Sequence, residues 1–296
     1  MGPTTSTNAA QIEPTDLPAA AVAALDDPPE PVARTVEAAG IPFHALAWGD
    51  PALPPLLLIH GVTASARIWW RIGPALAAGL DRHVAAVDQA GHGRTGRWTG
   101  HWGFRDNASD LASFTEAAGL AHPALAVVGH SWGAMTAAAL PAAGLRPDVL
   151  VLLDPPTIPA AWIASMLDDP IERRFDDLAE ALATVVPGHA AWAYGDVLAK
   201  AEGLTQFDAE AVRAILTLNG DWDGGLASLA DPAAADIPLR LVRGDPASGG
   251  LVPESALPDL AARIGAENIE TIPGGGHSPM RLRPLHTLAA LLRALS

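Results

Sequence analysis

The chain has 296 residues, of which 49% are hydrophobic and 17% charged, a composition typical of a globular protein and not of a disordered one. Its formal net charge of −15 disfavours nucleic acid and anionic membranes as partners, because both bind basic surfaces. The sequence contains no cysteine, which excludes disulfides, thiolate metal sites and a cysteine nucleophile.

The first 32 residues predict a flexible N-terminal arm, residues 1–32. Proline and aspartate interrupt its Ala-rich run, and no basic segment precedes that run, so the arm lacks the features of a secretory signal peptide. No apolar run in the chain reaches the ~18 residues that a membrane-spanning helix needs. We therefore expect a soluble, cytoplasmic protein that does not associate with a membrane.

From residue 33 onward, short apolar runs alternate with helical patterns. The runs that predict strands are ARTVEA, IPFHALAW, LLLIH, HVAAVD, ALAVVG, VLVLLD, LRLV and IETI. Several of them are apolar on both faces, as strands of a buried parallel sheet should be. Helix-length segments lie between them, at residues 66–80, 104–118, 132–143, 253–264 and 285–295. The alternation predicts an α/β fold with a doubly wound sheet.

The alternation is interrupted once, between Asp154 and about Ile237. This stretch contains helical patterns, such as IERRFDDLAEALATVV and DAEAVRAILTLNG, but no convincing strand. An insertion of about eighty residues is too long for a loop, so it predicts a small helical unit. We assign residues 155–236 to this unit, and residues 33–154 and 237–296 to the core.

The segment VVGHSWGAM places Ser131 between Gly129 and Gly133, where an apolar strand meets a small-residue helix. A G-x-S-x-G turn holds its serine in a strained backbone conformation, and the flanking residues must be small or strand and helix collide. The N-terminus of the helix also directs N–H groups toward the serine. The motif by itself is common, but this context favours Ser131 as a nucleophile.

A serine nucleophile needs a base, an acid and donors for the oxyanion. The segment IPGGGHSPM places His277 in a glycine-rich loop between the last strand and the last helix, which favours it as the base. In LLLIHGVTAS, the glycine after a buried strand lets the N–H of Val62 point at a developing oxyanion, and the N–H of Trp132 is the second predicted donor. We interpret His60 as a structural residue of that turn.

Four motifs, HGVTAS, VDQAGHGRT, GHSWG and GGGHS, occur in an order and at spacings that resemble the α/β-hydrolase superfamily, in particular its esterases and lactonases. The resemblance covers residues 33 to 296. It implies a mostly parallel eight-stranded sheet with helices on both faces, and it implies Ser131 and His277 as catalytic residues. It also implies that the helical unit after the sixth strand is a cap that closes over the pocket.

The acid has two candidates. In the superfamily it usually follows the seventh strand, shortly before a VP pair, but RGDPASGGLVP has serine and glycine at that place. Asp245 lies earlier in this segment, where it also fits a turn. Asp154 ends the buried run VLVLLD, and some haloalkane dehalogenases and lactone hydrolases place the acid at this strand. A carboxylate there needs a partner such as protonated His277. We favour Asp154 and keep Asp245 as the alternative; a simple strand cap is a third interpretation of Asp154.

Two other patterns suggest cofactors. The run GHGRTG matches G-x-G-x-x-G, but the residues after it do not open a helix and no acidic residue follows at the spacing of a dinucleotide site. His92 and His101 lack a carboxylate cluster at ligand spacing. We therefore predict neither a cofactor nor a metal.

Nine tryptophans against five phenylalanines and one tyrosine indicate an aromatic pocket. Trp69 follows the Val62 loop, and Trp162 and Trp192 lie in the cap segment. We predict these three as pocket residues, although core packing is an equally good explanation for about half of the tryptophans. Such a pocket favours an apolar or aromatic substrate group over a charged one.

These observations predict a serine hydrolase that cleaves a small-molecule carboxylic ester or lactone through an acyl-enzyme. A cofactor-free C–C hydrolase, or a perhydrolase of the haloperoxidase type, would carry the same three residues. A ligand-binding receptor that kept a vestigial triad is the non-enzymatic alternative. Nothing in the sequence decides the oligomeric state, and a homodimer is compatible with it.

Overall fold

The computed structural model describes residues 14, 16–96 and 102–296, and its centre is an eight-stranded sheet. The strands of this sheet are β1 (Val32–Ala38), β2 (Ile41–Trp48), β3 (Pro55–Ile59), β4 (His83–Val87), β5 (Ala126–His130), β6 (Val149–Leu153), β9 (Leu239–Gly244) and β10 (Ile269–Ile272). Their order is β1-β2-β4-β3-β5-β6-β9-β10, and every pair is parallel except β1–β2 and β2–β4. The predicted α/β fold with a mostly parallel eight-stranded sheet is confirmed.

Side chains that alternate along each strand form two hydrophobic cores, one on each face of the sheet. In β3, Leu56 and Leu58 belong to one core and Leu57 and Ile59 to the other. The first core is covered by helices α1 (Ala19–Asp26), α2 (Ile72–Leu80) and α12 (Pro284–Leu295). The second is covered by α3 (Phe104–Ala117), α4 (Trp132–Ala139) and α10 (Leu257–Ile264).

Helix α1 lies within the stretch that the sequence assigned to a flexible arm. Ala21 and Leu25 of this helix are buried in the first core, against α2 and α12. This part of the arm is therefore packed on the core. Residues 1–13 and 15 of the predicted arm lie outside the described residues.

Two of the predicted helices are interrupted. The segment 66–80 forms a short 3₁₀ turn at Ala66–Trp69 before α2 begins at Ile72, because Ser65 accepts the N–H of Arg67 and starts a separate turn. The segment 132–143 ends as an α-helix at Ala139, since Pro141 has no N–H for the next helical hydrogen bond.

Between β6 and β9 the chain forms α5 (Ala160–Ser165), α6 (Leu178–Gly188), α7 (Tyr194–Gln206), α8 (Ala209–Leu218) and α9 (Leu226–Leu229). We call this segment, residues 155–236, the cap. It also contains a two-residue strand pair, β7 (Thr157–Ile158) with β8 (Trp222–Asp223), where the sequence predicted no strand. A third hydrophobic cluster fills the cap and includes Trp132 and Met135 of α4, so the cap packs directly on the helix that follows Ser131.

In the part of the chain that the structure covers, none of the helices combines the length and the apolar character needed to cross a bilayer.

Candidate active site

Ser131 occupies the reversal between β5 and α4, at the carboxyl edge of the sheet. Its backbone has φ 56° and ψ −126°, a conformation that non-glycine residues rarely adopt and that costs about 1–3 kcal/mol. A Cβ on Gly129 would lie 2.2 Å from the carbonyl oxygen of Gly133, and a Cβ on Gly133 would lie 2.4 Å from that of His60. The two glycines of the motif are therefore required for strand and helix to meet at this angle.

His277 connects Ser131 with Asp154. Its Nε2 lies 2.8 Å from Oγ of Ser131, and its Nδ1 lies 2.7 Å from Oδ2 of Asp154. His130 donates from Nε2 to the carbonyl oxygen of His277 at 2.7 Å, and burial holds the pKa of His130 well below its ordinary value. A neutral His130 thus positions the loop without adding a charge next to the His277 ring.

Asp154 directly follows β6 and is fully buried. Its Oδ1 accepts the N–H of Gly244 at 2.9 Å, and its Oδ2 accepts the N–H of Leu251 at 3.0 Å in addition to His277. Like Ser131, it has a positive φ, of 44°, and its own N–H donates to Val242 at 2.8 Å. Main-chain donors from two segments therefore fix the orientation of the carboxylate toward the imidazole.

Asp245, the alternative acid, has a different set of contacts. Its carboxylate accepts the N–H of Ala247 at 2.9 Å and that of Gly274 at 3.1 Å, and it makes no contact with His277. These hydrogen bonds, above all the one from Gly274, lower the pKa of Asp245. Asp245 thus anchors the start of the loop that carries His277, and the structure brings Asp154 to the imidazole.

The loop after β3 approaches Ser131 closely. A Cβ on Gly61 would lie 2.8 Å from Cβ of Ser131, so only glycine fits at this position. His60 holds the loop: its Nδ1 donates to Gly61 at 2.7 Å, and its Nε2 accepts the N–H of Gln89 at 2.9 Å. Burial lowers the pKa of His60, which matches this neutral, structural arrangement.

The two predicted oxyanion donors lie on either side of the serine. Val62 follows Gly61 in the close-approaching loop and lines the cavity described below. Trp132 is the first residue of α4, where a backbone N–H has no acceptor within its own helix. The side chain of Trp132 turns away into the cap cluster and is fully buried.

The run GHGRTG forms tight turns around the carboxylate of Asp88. This carboxylate accepts the N–H groups of Ala66 and Arg94 and pairs with His44 at 2.8 Å. His92 is buried beside the ring of His60, and burial lowers its pKa to about 3. His101 and the other residues of 97–101 lie outside the described residues. Across the described residues, no group of three or more His, Cys, Asp or Glu side chains has the arrangement of a metal site.

A cavity of about 560 Å³ opens above Ser131 and His277, between the sheet edge and the cap. Its apolar wall is formed by Val62, Ile68, Ile158, Trp162, Met166, Trp192, Trp222 and Leu251. Two of the predicted pocket residues, Trp162 and Trp192, are in this wall. The prediction for Trp69 is wrong: its side chain is fully buried in the core beneath α2, and its neighbour Ile68 faces the cavity instead.

One side of the cavity is charged, which the sequence analysis did not predict. Lys200, the only lysine of the chain, donates to Glu172 at 2.6 Å and to Oγ of Thr63 at 3.1 Å. Thr63 also donates to Glu172. Arg281, four residues after His277, lines the same cavity. The one signal available in the sequence was a single lysine inside a helix of mainly apolar and small residues.

Residues 56–291 match the model of the alpha/beta hydrolase family. The match covers most of the chain and agrees with the strand order and with the position of Ser131 on a reversal between β5 and α4. The chain therefore belongs to the alpha/beta hydrolase family, as its motifs indicated.

Individual relatives share about a third of their residues with this chain over the matched regions. Lipase LipV of Mycobacterium tuberculosis is 35% identical over 160 residues, which cover 50% of this chain and 58% of LipV. Epoxide hydrolase B of the same organism is 31% identical over 223 residues, or 73% of this chain and 60% of that protein. Both matches leave a substantial part of the relative uncovered. The crystal structure of E-2-(acetamidomethylene)succinate hydrolase superposes with a TM-score of 0.73 at 20% identity, over 90% of this chain and 99% of that one, which shows the shared fold.

Proposed function

We propose that this protein is a serine hydrolase that cleaves a small-molecule carboxylic ester or lactone with an apolar or aromatic group. The observation that carries the proposal is the continuous chain of hydrogen bonds from Asp154 through His277 to the hydroxyl of Ser131. Membership of the alpha/beta hydrolase family supports a hydrolytic reaction, and the lipase among the relatives supports an ester as the substrate.

In the proposed reaction, Nε2 of His277 accepts the proton of Ser131 while Oγ attacks the carbonyl carbon. The N–H groups of Val62 and Trp132 stabilise the oxyanion of the tetrahedral intermediate. His277 then returns the proton to the departing alcohol, and an acyl ester remains on Ser131. A water molecule, deprotonated by His277, attacks this ester and releases the carboxylic acid and the free serine. With a lactone, the alcohol and the acid leave as one molecule.

Asp154 supports these reaction steps by accepting a hydrogen bond from Nδ1 of His277. That bond fixes the tautomer in which Nε2 is free to accept a proton, and the carboxylate stabilises the imidazolium that forms. Because Asp154 is fully buried, its charge acts at short range on the imidazole with little screening by water.

The proposal is tested with a panel of 4-nitrophenyl esters and lactones, assayed on the wild type and on Ser131→Ala. We expect turnover to fall by at least about 10⁴-fold in the variant, because the nucleophile is lost while the fold is kept. A fluorophosphonate probe should label Ser131 of the wild type, as located by peptide mass spectrometry. Ser113→Ala, which removes a hydroxyl on the outer face of α3, is the matched control and should label and turn over normally.

Other outcomes of these assays would favour one of the alternative functions. Halide oxidation or β-diketone cleavage without ester hydrolysis would replace the proposal by a perhydrolase or a C–C hydrolase. A folded wild-type protein that neither reacts with the probe nor turns over any substrate would favour a ligand-binding receptor.

A further inference from the structure

Arg281 is a buried cation for which the described residues provide no hydrogen-bond or ion-pair partner. It lies on the short helix α11 (Pro279–Leu282), lines the cavity above Ser131 and is 7% exposed. In the described part of the chain, its guanidinium forms neither an ion pair nor a hydrogen bond, and its Nε is buried without an acceptor. A buried charge without a partner is costly, so a folded protein normally supplies one.

The neighbouring carboxylates are already engaged with other groups. Glu172 accepts hydrogen bonds from Lys200 and Thr63. Asp196 accepts a hydrogen bond from Nε1 of Trp70 at 2.8 Å and one from Arg71 at 3.4 Å. Both carboxylates therefore act on Arg281 only through space, where they partly offset the effect of burial on its pKa.

A third carboxylate, that of Asp169, also lines the cavity and accepts the N–H of Ile171 at 2.8 Å. The cavity wall therefore carries charges of both signs, from Asp169 and Glu172 on the one hand and Lys200 and Arg281 on the other. Lys200 already donates to Glu172 and Thr63, whereas the guanidinium of Arg281 has no hydrogen-bond acceptor among the described residues. An incoming anion therefore meets several available donors at Arg281.

The orientation of Arg281 is fixed by an aromatic contact. Its Cζ lies 4.5 Å from the ring centroid of Trp192, a cation–π contact. This contact occupies no hydrogen-bond acceptor, and Nε of Arg281 stays without one among the described residues. The planar N–H pairs of a guanidinium match the two oxygens of a carboxylate.

We propose that Arg281 forms an anion-binding subsite of the cavity and that the ester or lactone hydrolysed here carries a carboxylate, which the guanidinium binds. This inference rests on the proposed function, since it places the reacting carbonyl at Ser131 in the same cavity. The substrate would then combine an apolar segment along the tryptophan wall with a carboxylate at one end. It adds a charged group to the apolar or aromatic group that the sequence predicts for the substrate.

The test compares matched substrates that differ only in charge. Mono(4-nitrophenyl) esters of dicarboxylic acids, from succinate to suberate, are assayed beside their methyl-capped, neutral counterparts. In the wild type, we expect a higher kcat/KM for the anionic ester at one or more chain lengths. In Arg281→Gln, the value for that ester should fall about 10- to 100-fold, the loss of a charge-assisted hydrogen bond, mainly through KM. The neutral ester should lose much less, so the ratio of the two kcat/KM values should fall.

Two further variants separate binding from structure. Arg281→Lys keeps the charge but loses the planar donors, so it should recover part of the preference for the anionic ester. Arg293→Gln removes an arginine that pairs with Glu270 on the surface, outside the cavity, and should leave the preference unchanged. An equal loss on both esters in Arg281→Gln would overturn the subsite and assign Arg281 to charge balance. A wild type that favours the neutral ester at every chain length would also overturn it.

A binding measurement keeps this inference distinct from the proposed function. In a Ser131→Ala background, calorimetry should show that the anionic ester binds more tightly than the neutral one and that adding Arg281→Gln removes the difference. If the wild type hydrolyses no ester but this difference is found, the proposed function fails and the anion subsite stands. If esters are hydrolysed and the difference is absent, the subsite fails and the proposed function stands.

Discussion

The two walls of the cavity are held in place by different kinds of interaction. The wall at the sheet edge, with Ser131 and Asp154, is fixed by the main chain: both residues have positive φ, and backbone N–H groups orient the carboxylate. The opposite wall, in the cap, is held by side-chain contacts, such as the ion pair of Lys200 with Glu172 and the cation–π contact of Trp192 with Arg281 of α11.

This difference determines what a substitution does on each side. At the sheet edge, a single added methyl or a changed proton acceptor disturbs groups that cannot move. In the cap, the same kind of change alters packing and charge pairing, to which neighbouring side chains can adjust.

Replacing Asp154 by Asn should reduce kcat by about 10⁴-fold, because an amide cannot serve both His277 and the backbone donors. If the oxygen of the Asn amide faces His277, the NH₂ group of the amide meets the N–H of Gly244. If the amide is reversed, its NH₂ group faces His277 and holds the imidazole in the wrong tautomer. Ester turnover at neutral pH measures the loss. Asp245→Asn is the matched control and should keep most of the activity, since an amide oxygen can still accept from Gly274. Loss of turnover in Asp245→Asn together with full activity in Asp154→Asn would reverse the assignment.

Replacing Gly129 by Ala should destabilise the protein by at least about 4 kcal/mol, because the new methyl would collide with the main chain of α4. Gly188 in the cap is a suitable comparison, since a Cβ at this position meets no atom within 4 Å. Gly188→Ala should change the stability by less than about 1 kcal/mol. Thermal unfolding of both variants gives the result. Equal stability of the two variants would show that the reversal at Ser131 tolerates larger residues.

Replacing Lys200 by Met should lower the free energy of unfolding by about 3 kcal/mol, because Glu172 is left with an uncompensated charge. The double variant Lys200→Met with Glu172→Leu should recover much of this loss, since neither member of the ion pair is then left as a lone charge. Urea unfolding at pH 7.5 measures both. A double variant that is less stable than the single one would mean that the ion pair itself, and not the avoidance of a lone charge, stabilises the cap wall.

The smallest effect is expected at Asp110, on α3 and away from both walls. Burial, with a contribution from Asp106, raises the pKa of Asp110 to about 6, so the folded protein favours the neutral acid. The contribution of the neutral Asp110 carboxyl group to the free energy of unfolding is present below pH ~4 and is lost as the pH rises through about 6. Asp110→Asn removes this dependence and should raise the stability at pH 7.5 by about 1–3 kcal/mol, with a smaller gain at pH 4.5.

Urea unfolding at the two pH values tests this prediction. Glu116→Gln removes an exposed carboxylate from the same helix and should show no such pH-dependent gain. A gain for Asp110→Asn that is the same at both pH values would mean that the carboxyl group does not ionise in this range.

The contrast between the walls also explains what could be predicted from the sequence. Positions fixed by the main chain accept few residue types, so Gly129, Ser131 and Gly133 form a pattern that is visible in the sequence. The strands of the sheet are visible for another reason, since burial on both faces requires apolar side chains. Asp154 could be proposed because a carboxylate at the end of a buried strand needs a partner.

The cap wall could not be predicted in the same way. Lys200 and Glu172 come from separate segments, and no local pattern indicates that they meet. Trp69 was assigned to the pocket from its nearness in sequence to the Val62 loop, but the 3₁₀ turn before α2 directs Ile68 to the cavity and Trp69 into the core. Its position depends on how that turn winds, which composition does not determine.

The burial of Lys200 has a practical consequence. Because it is the only lysine and is 5% exposed, reagents that acylate primary amines should find no accessible side chain on the folded protein. Covalent attachment to a surface or a dye through side-chain amines would then require a lysine introduced by design, whose position the experimenter can choose freely.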